Sequence, residues 1–184
     1  MAKKIFYQTA MFCLLYSLAA LPSFSQPAFQ EVFGVSKSFY SSIKVQRVIA
    51  TDLIQLENGE KVRLIGLKSP FKPLMKRIVR DENGRVIEED SSPETPLQET
   101  ALEFMKELLL KKIVRLEFDD QKKDDDFNTM AYVFILEGGI FANAEILKQG
   151  FANLSIQQPN IKYADTLRAA YREAKEQKRG LQGE

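Results

Sequence analysis

The chain has no histidine and no tryptophan, and one cysteine, Cys13, among its 184 residues. Histidine is the side chain most used for proton transfer near neutral pH and the commonest transition-metal ligand, so its absence excludes Ser-His-Asp, Cys-His and histidine-bearing zinc chemistry. A single cysteine excludes an intrachain disulfide and a thiolate metal site. The domain must therefore be held together by packing of its apolar residues, which make up 45% of the sequence.

The N-terminus has the pattern of an export signal. Lys3 and Lys4 precede an apolar run over residues 11–21, and the small residue Ser25 follows a few positions later. This pattern predicts a secretory signal over residues 1–25, and the run is shorter than the roughly 20 residues that a membrane helix needs. We expect a secreted or periplasmic protein with no stable membrane span once the signal is removed.

The chain after the signal is close to electrically neutral. Residues 1–25 contain two lysines and no acidic residue, so 24 basic and 25 acidic residues follow them. Residues 26–41 mix serine, glycine and aromatic residues without a period and predict an exposed lead-in to a domain over residues 42–184. Tight sequence-independent binding to a polyanion usually needs a strongly basic surface, so any nucleic-acid site must be local.

Short apolar segments predict a small barrel. Strands are predicted over residues 43–49, 53–56, 61–66, 114–118 and 130–136. Asn58-Gly59 supplies a hairpin turn between the second and third of these strands. Asn83-Gly84 supplies another between residues 76–79 and 85–88, which we expect to form a mobile two-stranded excursion.

Three helices complete the pattern. Thr95 is the expected N-cap of the first helix, with Pro96 at its first position and Gln98 closing a capping box. Asn143 is expected to cap a short helix that ends at Gly150, and the last helix is predicted over residues 163–178. The order of elements predicts an α+β fold, a five-stranded OB-type barrel with about three helices packed on it.

The segment Val62–Phe71 reads V-R-L-I-G-L-K-S-P-F. It resembles the V-R-L-x-G-I-D-x-P-E strand of the thermonuclease, or staphylococcal-nuclease-like, family. Other segments resemble the family in the same order, namely Val48–Leu53, Asp125–Tyr132, Gly150–Ala152 and Lys178–Leu181. The resemblance implies the OB-type barrel and a calcium-dependent nuclease acting on DNA or RNA.

The resemblance also implies roles for individual residues. Arg63 matches the arginine that holds a phosphate, and Asp52 matches a calcium-binding aspartate. The remaining family positions are changed: Ala50 and Lys68 stand where the family has aspartates, Phe71 replaces the general-base glutamate, and Asn128 or Thr129 replaces the second catalytic arginine. We therefore expect a catalytically impaired domain, a pseudoenzyme, although the sequence leaves open whether it is an enzyme.

Two interpretations of Lys68 remain open. Arg63 and Lys68 form a cation pair that binds an anion without calcium, or Lys68 pairs with Asp52 while Arg63 satisfies barrel-end carbonyls or a carboxylate. No cofactor is expected. Calcium becomes relevant only if a replacement carboxylate folds back toward Phe71, the candidates being Glu88, Glu89, Asp90 and Glu94.

Two charged segments are treated as surface. Asp124-Asp125-Asp126 lacks the spacing of a calcium loop and is expected to be a solvated turn, and residues 162–179 carry six basic against three acidic residues, typical of a soluble helix. The predicted function is binding of nucleic acid or another phosphate-bearing ligand, or of an envelope protein through the hairpin at residues 76–88. The alternative is an active calcium-dependent phosphodiesterase.

Overall fold

The computed structural model describes residues 39–183. The predicted signal and most of the predicted lead-in lie outside this range. A 3-10 turn over Phe39–Ser41 precedes the barrel, and the ring of Tyr40 packs edge-on against Phe118 with centroids 4.9 Å apart. The described end of the lead-in is therefore packed on the domain.

The described chain forms ten strands and three helices. The strands are β1 (Ile43–Ala50), β2 (Leu53–Leu56), β3 (Lys61–Leu64), β4 (Gly66–Lys68), β5 (Lys76–Arg80), β6 (Val86–Asp90), β7 (Ile113–Glu117), β8 (Thr129–Ile135), β9 (Ile140–Phe141) and β10 (Asn153–Ser155). The helices are α1 (Pro96–Leu109), α2 (Ala142–Lys148) and α3 (Ala164–Glu176).

A closed barrel lies at the centre of the fold. Its strands run in the order β3-β2-β1-β7-β8, all antiparallel, and β3 closes the barrel by pairing in parallel with β8. Inward-facing residues such as Val45, Ile54 and Leu64 are fully buried. The predicted five-stranded OB-type barrel with three helices is confirmed.

Helix α1 begins where the sequence predicts. Thr95 Oγ1 accepts a hydrogen bond from the backbone N–H of Gln98 at 3.1 Å, with Pro96 at the first helical position. The predicted capping box differs in one detail, because Gln98 Oε1 accepts from the N–H of Glu94, not of Thr95. The side-chain amide of Gln98 also donates to Lys72 O, so this buried residue ties the helix to the preceding loop.

The predicted strand over residues 61–66 is divided into two. β3 ends at Leu64, and Gly66 has a φ of +86°, a conformation that favours glycine. The chain turns there, and β4 leaves the barrel to pair with β10, with Lys68 opposite Asn153. This turn sends Lys68 away from the strand that carries Arg63.

Asn143 has a different role from the predicted one. Helix α2 starts after Phe141 without a side-chain cap, and it ends at Lys148. Asn143 is fully buried inside the helix, where its oxygen accepts from Val133 N and its amide donates to Ile65 O, both at 2.9 Å. The residue bridges β8 to the β3–β4 corner because these buried backbone groups need partners.

The predicted hairpin excursion is present as β5 and β6. The two strands pair from Lys76 opposite Asp90 to Arg80 opposite Val86. Ile78 and Val86 lie on the same face of the ribbon and are 76% and 61% exposed. Within residues 39–183, no helix is both long and apolar enough to cross a bilayer.

Candidate functional site

Arg63 is at the centre of a pocket of about 560 Å³, here called the Arg63 pocket. Its walls are the β3–β4 segment, the loop at residues 124–126 and polar residues between Ser155 and Asn160. The parallel pairing of β3 with β8 sets Arg63 opposite Met130, which brings the turn before β8 next to the guanidinium. Residues that are far apart in sequence therefore meet at one end of the barrel.

The guanidinium of Arg63 is surrounded by carboxylates. Nη1 donates to Asp52 Oδ2 and Nε donates to Asp124 Oδ2, each at 3.1 Å, and Nη2 lies 3.7 Å from Asp126 Oδ2. Burial would lower the pKa of Arg63, but the negative charges of Asp52 and Asp124 outweigh burial and raise the pKa. The arginine that matches the phosphate-binding position in the resemblance is thus already bound to two aspartates.

Asp124 is not the solvated residue that the sequence predicts. Its Oδ1 accepts from the backbone N–H groups of Asp126 and Asn128, and its Oδ2 accepts from Arg63 and from the Asn128 amide. Burial tends to raise the pKa of Asp124, but the bonds from Asn128 and Arg63 lower it overall. The prediction was wrong for Asp124 because a turn that repeats one residue type can point one member inward, whereas Asp126 is exposed.

Asp52 is paired, but not with Lys68. It is 5% exposed and lies in the two-residue turn between β1 and β2, and its Oδ2 accepts from both Arg63 and the N–H of Ser69. The pairing of β2 with β3 places Leu53 opposite Arg63, so the guanidinium, and not the Lys68 ammonium, lies next to Asp52. Lys68 is exposed at the wall of the pocket and has no ion-pair partner in the described part of the chain. The interpretation that pairs Lys68 with Asp52 is therefore wrong, although Arg63 does bind carboxylates, which was one of the two kinds of partner that this interpretation gave it.

The other residues that differ from the family pattern lie in different environments. Phe71 lines the Arg63 pocket and is half-buried, and Ala50 is buried at the end of β1. Asn128 bonds to Asp124 and so belongs to the Arg63 cluster. Thr129 points elsewhere, because its hydroxyl bonds to Glu60 and accepts from Lys123 Nζ.

The candidate replacement carboxylates are engaged on the surface. The pairs are Glu88 with Lys76 at 2.6 Å, Glu89 with Arg77 at 3.2 Å, Asp90 with Arg47 at 3.1 Å and Glu94 with Lys72 at 2.9 Å. None of these four carboxylates lines the Arg63 pocket. The hairpin therefore brings no replacement base to Phe71 in this conformation.

The oxygen atoms in the Arg63 pocket do not form a suitable ligand set for calcium. Asp52 Oδ1 is buried and has no hydrogen-bond partner, so one carboxylate oxygen is available. Calcium takes six to eight oxygen ligands, and among residues 39–183 no group of three or more acidic side chains is arranged to hold a metal ion. Lys68 adds a positive charge to the same pocket. The residues of the pocket therefore do not fit a calcium ion.

The charges that line the Arg63 pocket are also unfavourable for an anion. Two cations, Arg63 and Lys68, face four aspartates, Asp52 and Asp124–Asp126, which gives a formal excess of two negative charges. A phosphate would have to compete with Asp52 and Asp124 for the guanidinium. The two cations can be identified from the sequence, but Asp124 cannot, because its contact with Arg63 depends on the β3–β8 pairing.

The closed OB-type barrel with an arginine on its third strand defines a thermonuclease-like domain, and comparisons with known proteins agree. The family model for staphylococcal nuclease homologues matches residues 61–182. The chain is 30% identical to a thermonuclease of Staphylococcus hyicus over 154 residues, covering 80% of this chain and 79% of that protein. It is 33% identical to a thermonuclease of Staphylococcus intermedius over 139 residues, covering 72% and 71%. The chain belongs to the staphylococcal nuclease family.

Proposed function

We propose that this chain is an exported thermonuclease-like domain that does not cleave phosphodiesters by a calcium-dependent route, and that it acts by binding a phosphate-bearing polymer such as nucleic acid. The observation that carries the loss of hydrolysis is the double engagement of Arg63 by Asp52 and Asp124 at 3.1 Å, which occupies the arginine that matches the family's phosphate-binding position. Family membership supports nucleic acid as the ligand class. The pattern of residues 1–25 supports export.

The expected loss of hydrolysis follows from two missing groups. Loss of a general base typically costs about 10² to 10⁴ in rate, and Phe71 has no group that accepts a proton. Loss of a charge-stabilising donor costs roughly another 10² to 10³, and Asn128 is bonded to Asp124. The combined loss leaves little hydrolysis even if a substrate reaches Arg63.

Two other functions have some support. The buried Oδ1 of Asp52 has no hydrogen-bond partner, which favours an active calcium-dependent phosphodiesterase if a carboxylate moves in from the hairpin. The exposed Ile78 and Val86 on one face of the hairpin favour an envelope protein partner. Neither observation identifies a residue in the Arg63 pocket that could act as the general base for hydrolysis.

The decisive experiment measures release of nucleotides from single-stranded DNA and RNA with calcium and with a chelator. We expect no calcium-stimulated release from the unaltered protein. The same assay is run on Lys68→Asp/Phe71→Glu/Asn128→Arg, with and without a fourth change, Asp124→Ala, that frees Arg63. The fourth change removes one of the two aspartates bound to Arg63 and leaves Asp52 in place, and we expect it to increase whatever activity the restored carboxylates produce.

Asp52→Asn is the matched control, since it removes the family's metal-binding charge with little change in shape. Calcium-stimulated release by the unaltered protein that Asp52→Asn abolishes would establish the phosphodiesterase and end the proposal of a non-hydrolytic domain. Release that Asp52→Asn leaves intact would not depend on the family's metal-binding position and would not establish that phosphodiesterase.

A further inference from the structure

A second concave surface of about 560 Å³ lies beside the Arg63 pocket and is here called the Lys61 groove. Its walls come from β1, β2 and β3 and from residues 73–76, and Arg63 and Asp126 border both surfaces. The charged residues that line the groove are four cations, Arg47, Lys61, Arg63 and Lys76, and one anion, Asp126. The formal excess of three positive charges is opposite in sign to that of the Arg63 pocket.

The cations of the groove differ in how accessible they are to an anionic ligand. Lys61 is exposed and makes no ion pair with any described residue. Lys76 pairs with Glu88, but both side chains are more than half exposed, and such surface pairs open at little cost. Arg47 is mostly buried and holds Asp90 and Leu74 O, so it fixes the base of the hairpin. Lys61 and Lys76 are therefore the residues that an anion would reach first.

An exposed aromatic residue lies on the turn that borders the groove. Phe127 lies between Asp126 and Asn128, both of which line the groove, and it is 83% exposed. Its φ is +61°, a strained conformation for a residue with a side chain. A large apolar ring held in solvent by a strained backbone brings no packing benefit to the fold. Strain of this kind concentrates at ligand-binding positions, where the surrounding structure maintains it.

We propose that the Lys61 groove binds a single strand of nucleic acid, with Lys61 and Lys76 contacting phosphates and the ring of Phe127 stacking on a base. Cationic grooves combined with exposed aromatic rings are the usual means of binding single strands, since every base has a face that stacks. A single strand is favoured over a duplex because bases in a duplex are already stacked on each other. The strand then avoids the four aspartates of the Arg63 pocket.

The other basic surface lacks these features. On α3, Arg168 pairs with Asp165 and Lys175 lies over the ring of Tyr171, so part of its charge is already engaged. Arg172 on α3 and Lys178 just after the helix are exposed and make no ion pair within residues 39–183. They provide a matched control, because reversing their charges alters the net charge as much as reversing Lys61 and Lys76.

The test is fluorescence anisotropy of a labelled 12-nucleotide oligo-dT with the full mature protein in chelator, so that hydrolysis plays no part. Lys61→Glu/Lys76→Glu is expected to weaken binding at least about tenfold and to flatten the dependence on salt, since about 0.7 is lost from the log–log slope per phosphate contact. Arg172→Glu/Lys178→Glu is expected to change affinity less than about threefold, through general electrostatics alone.

Phe127→Gly separates stacking from folding. Glycine adopts positive φ without strain, so the melting temperature should stay the same or rise, while oligo-dT binding weakens by roughly 5- to 100-fold, the range for loss of one stacked base. Binding of a 12-base-pair duplex should change much less. Equal weakening by the two charge-reversal pairs, or unchanged binding by Phe127→Gly, would overturn the groove assignment.

The inference rests on the proposed binding role but not on the proposed loss of hydrolysis. If the unaltered protein binds oligo-dT and none of the groove variants changes the affinity, the groove is not the binding site, but the proposed binding role stands. No binding by the unaltered protein would reject the binding role itself. Calcium-stimulated cleavage would reject only the non-hydrolytic proposal.

Discussion

Removing the guanidinium of Arg63 is expected to destabilise the domain far more than loss of a surface cation. Arg63→Ala leaves Asp52, which is 5% exposed, without its ion-pair partner, and Asp124 loses one of its donors. If Arg63 were mainly a ligand-binding residue exposed to solvent, its removal would cost less than about 0.5 kcal/mol. The free energy of unfolding therefore distinguishes the two roles.

The magnitude follows from the geometry. Two unit charges about 4 Å apart attract by roughly 4 kcal/mol at an effective dielectric constant of 20, and Arg63 makes two such contacts. Most of that attraction offsets the cost of removing the three charges from water. Breaking a buried pair by deleting one partner typically costs about 3–5 kcal/mol, and we expect a loss in that range. Such a loss is a large part of the about 5–15 kcal/mol that stabilises a typical domain.

The assay is urea denaturation followed by far-ultraviolet circular dichroism, with Arg172→Ala as the control for loss of an exposed arginine. Adding Asp52→Asn to Arg63→Ala removes the unpaired charge and keeps an oxygen for the N–H of Ser69, so it should recover about half of the loss or more. A loss below about 1 kcal/mol for Arg63→Ala, or no recovery in the double variant, would refute the structural role of this cluster.

Two further predictions concern stability. Gly150 has a φ of +77°, and a Cβ there would lie 2.1 Å from the backbone oxygen of Arg179. Gly150→Ala should therefore lower the free energy of unfolding by roughly 3 kcal/mol or more in the same urea assay. Gly59 has open space around it, so Gly59→Ala should cost only about 1 kcal/mol. Burial favours a higher pKa for Glu117, but hydrogen bonds led by the one from Lys162 hold it at about 2, below its usual 4.5. Its contribution to stability is therefore complete above pH 4.5 and lost as the pH falls toward 2, and melting temperatures across this interval should fall less steeply in Lys162→Met.

Local signals in the sequence identified most of the fold. The Asn58-Gly59 and Asn83-Gly84 turns both occur in hairpins, and Thr95 caps α1 as expected. These features succeed because a turn or a cap is decided by a few neighbouring residues. The prediction failed for Asn143, where a buried bridge between β8 and the β3–β4 corner replaces the cap, because no local pattern identifies partners 10 and 78 residues away.

The candidate site was predicted only in part, and for the same reason. The resemblance pointed to Arg63 and Asp52, which lie in segments with recognisable order, and the structure places both at one pocket. The contact between Arg63 and Asp124 spans 61 residues and depends on the parallel β3–β8 pairing. The net charge of the pocket and that of the groove also depend on which side chains line them. Composition gives only the net charge of the whole chain, which is close to zero.

Arg63 connects the two surfaces through the turn at residues 124–128. Asp124 receives the guanidinium on one oxygen and the backbone of Asp126 and Asn128 on the other, so the ion pair and the turn stabilise each other. Phe127 keeps its strained φ inside that turn. One side chain, Asp124, thus both occupies Arg63 in the pocket and holds the turn that carries Phe127. A change that frees Arg63 for phosphate would loosen the turn, so the chain cannot easily combine the family's pocket with the proposed groove.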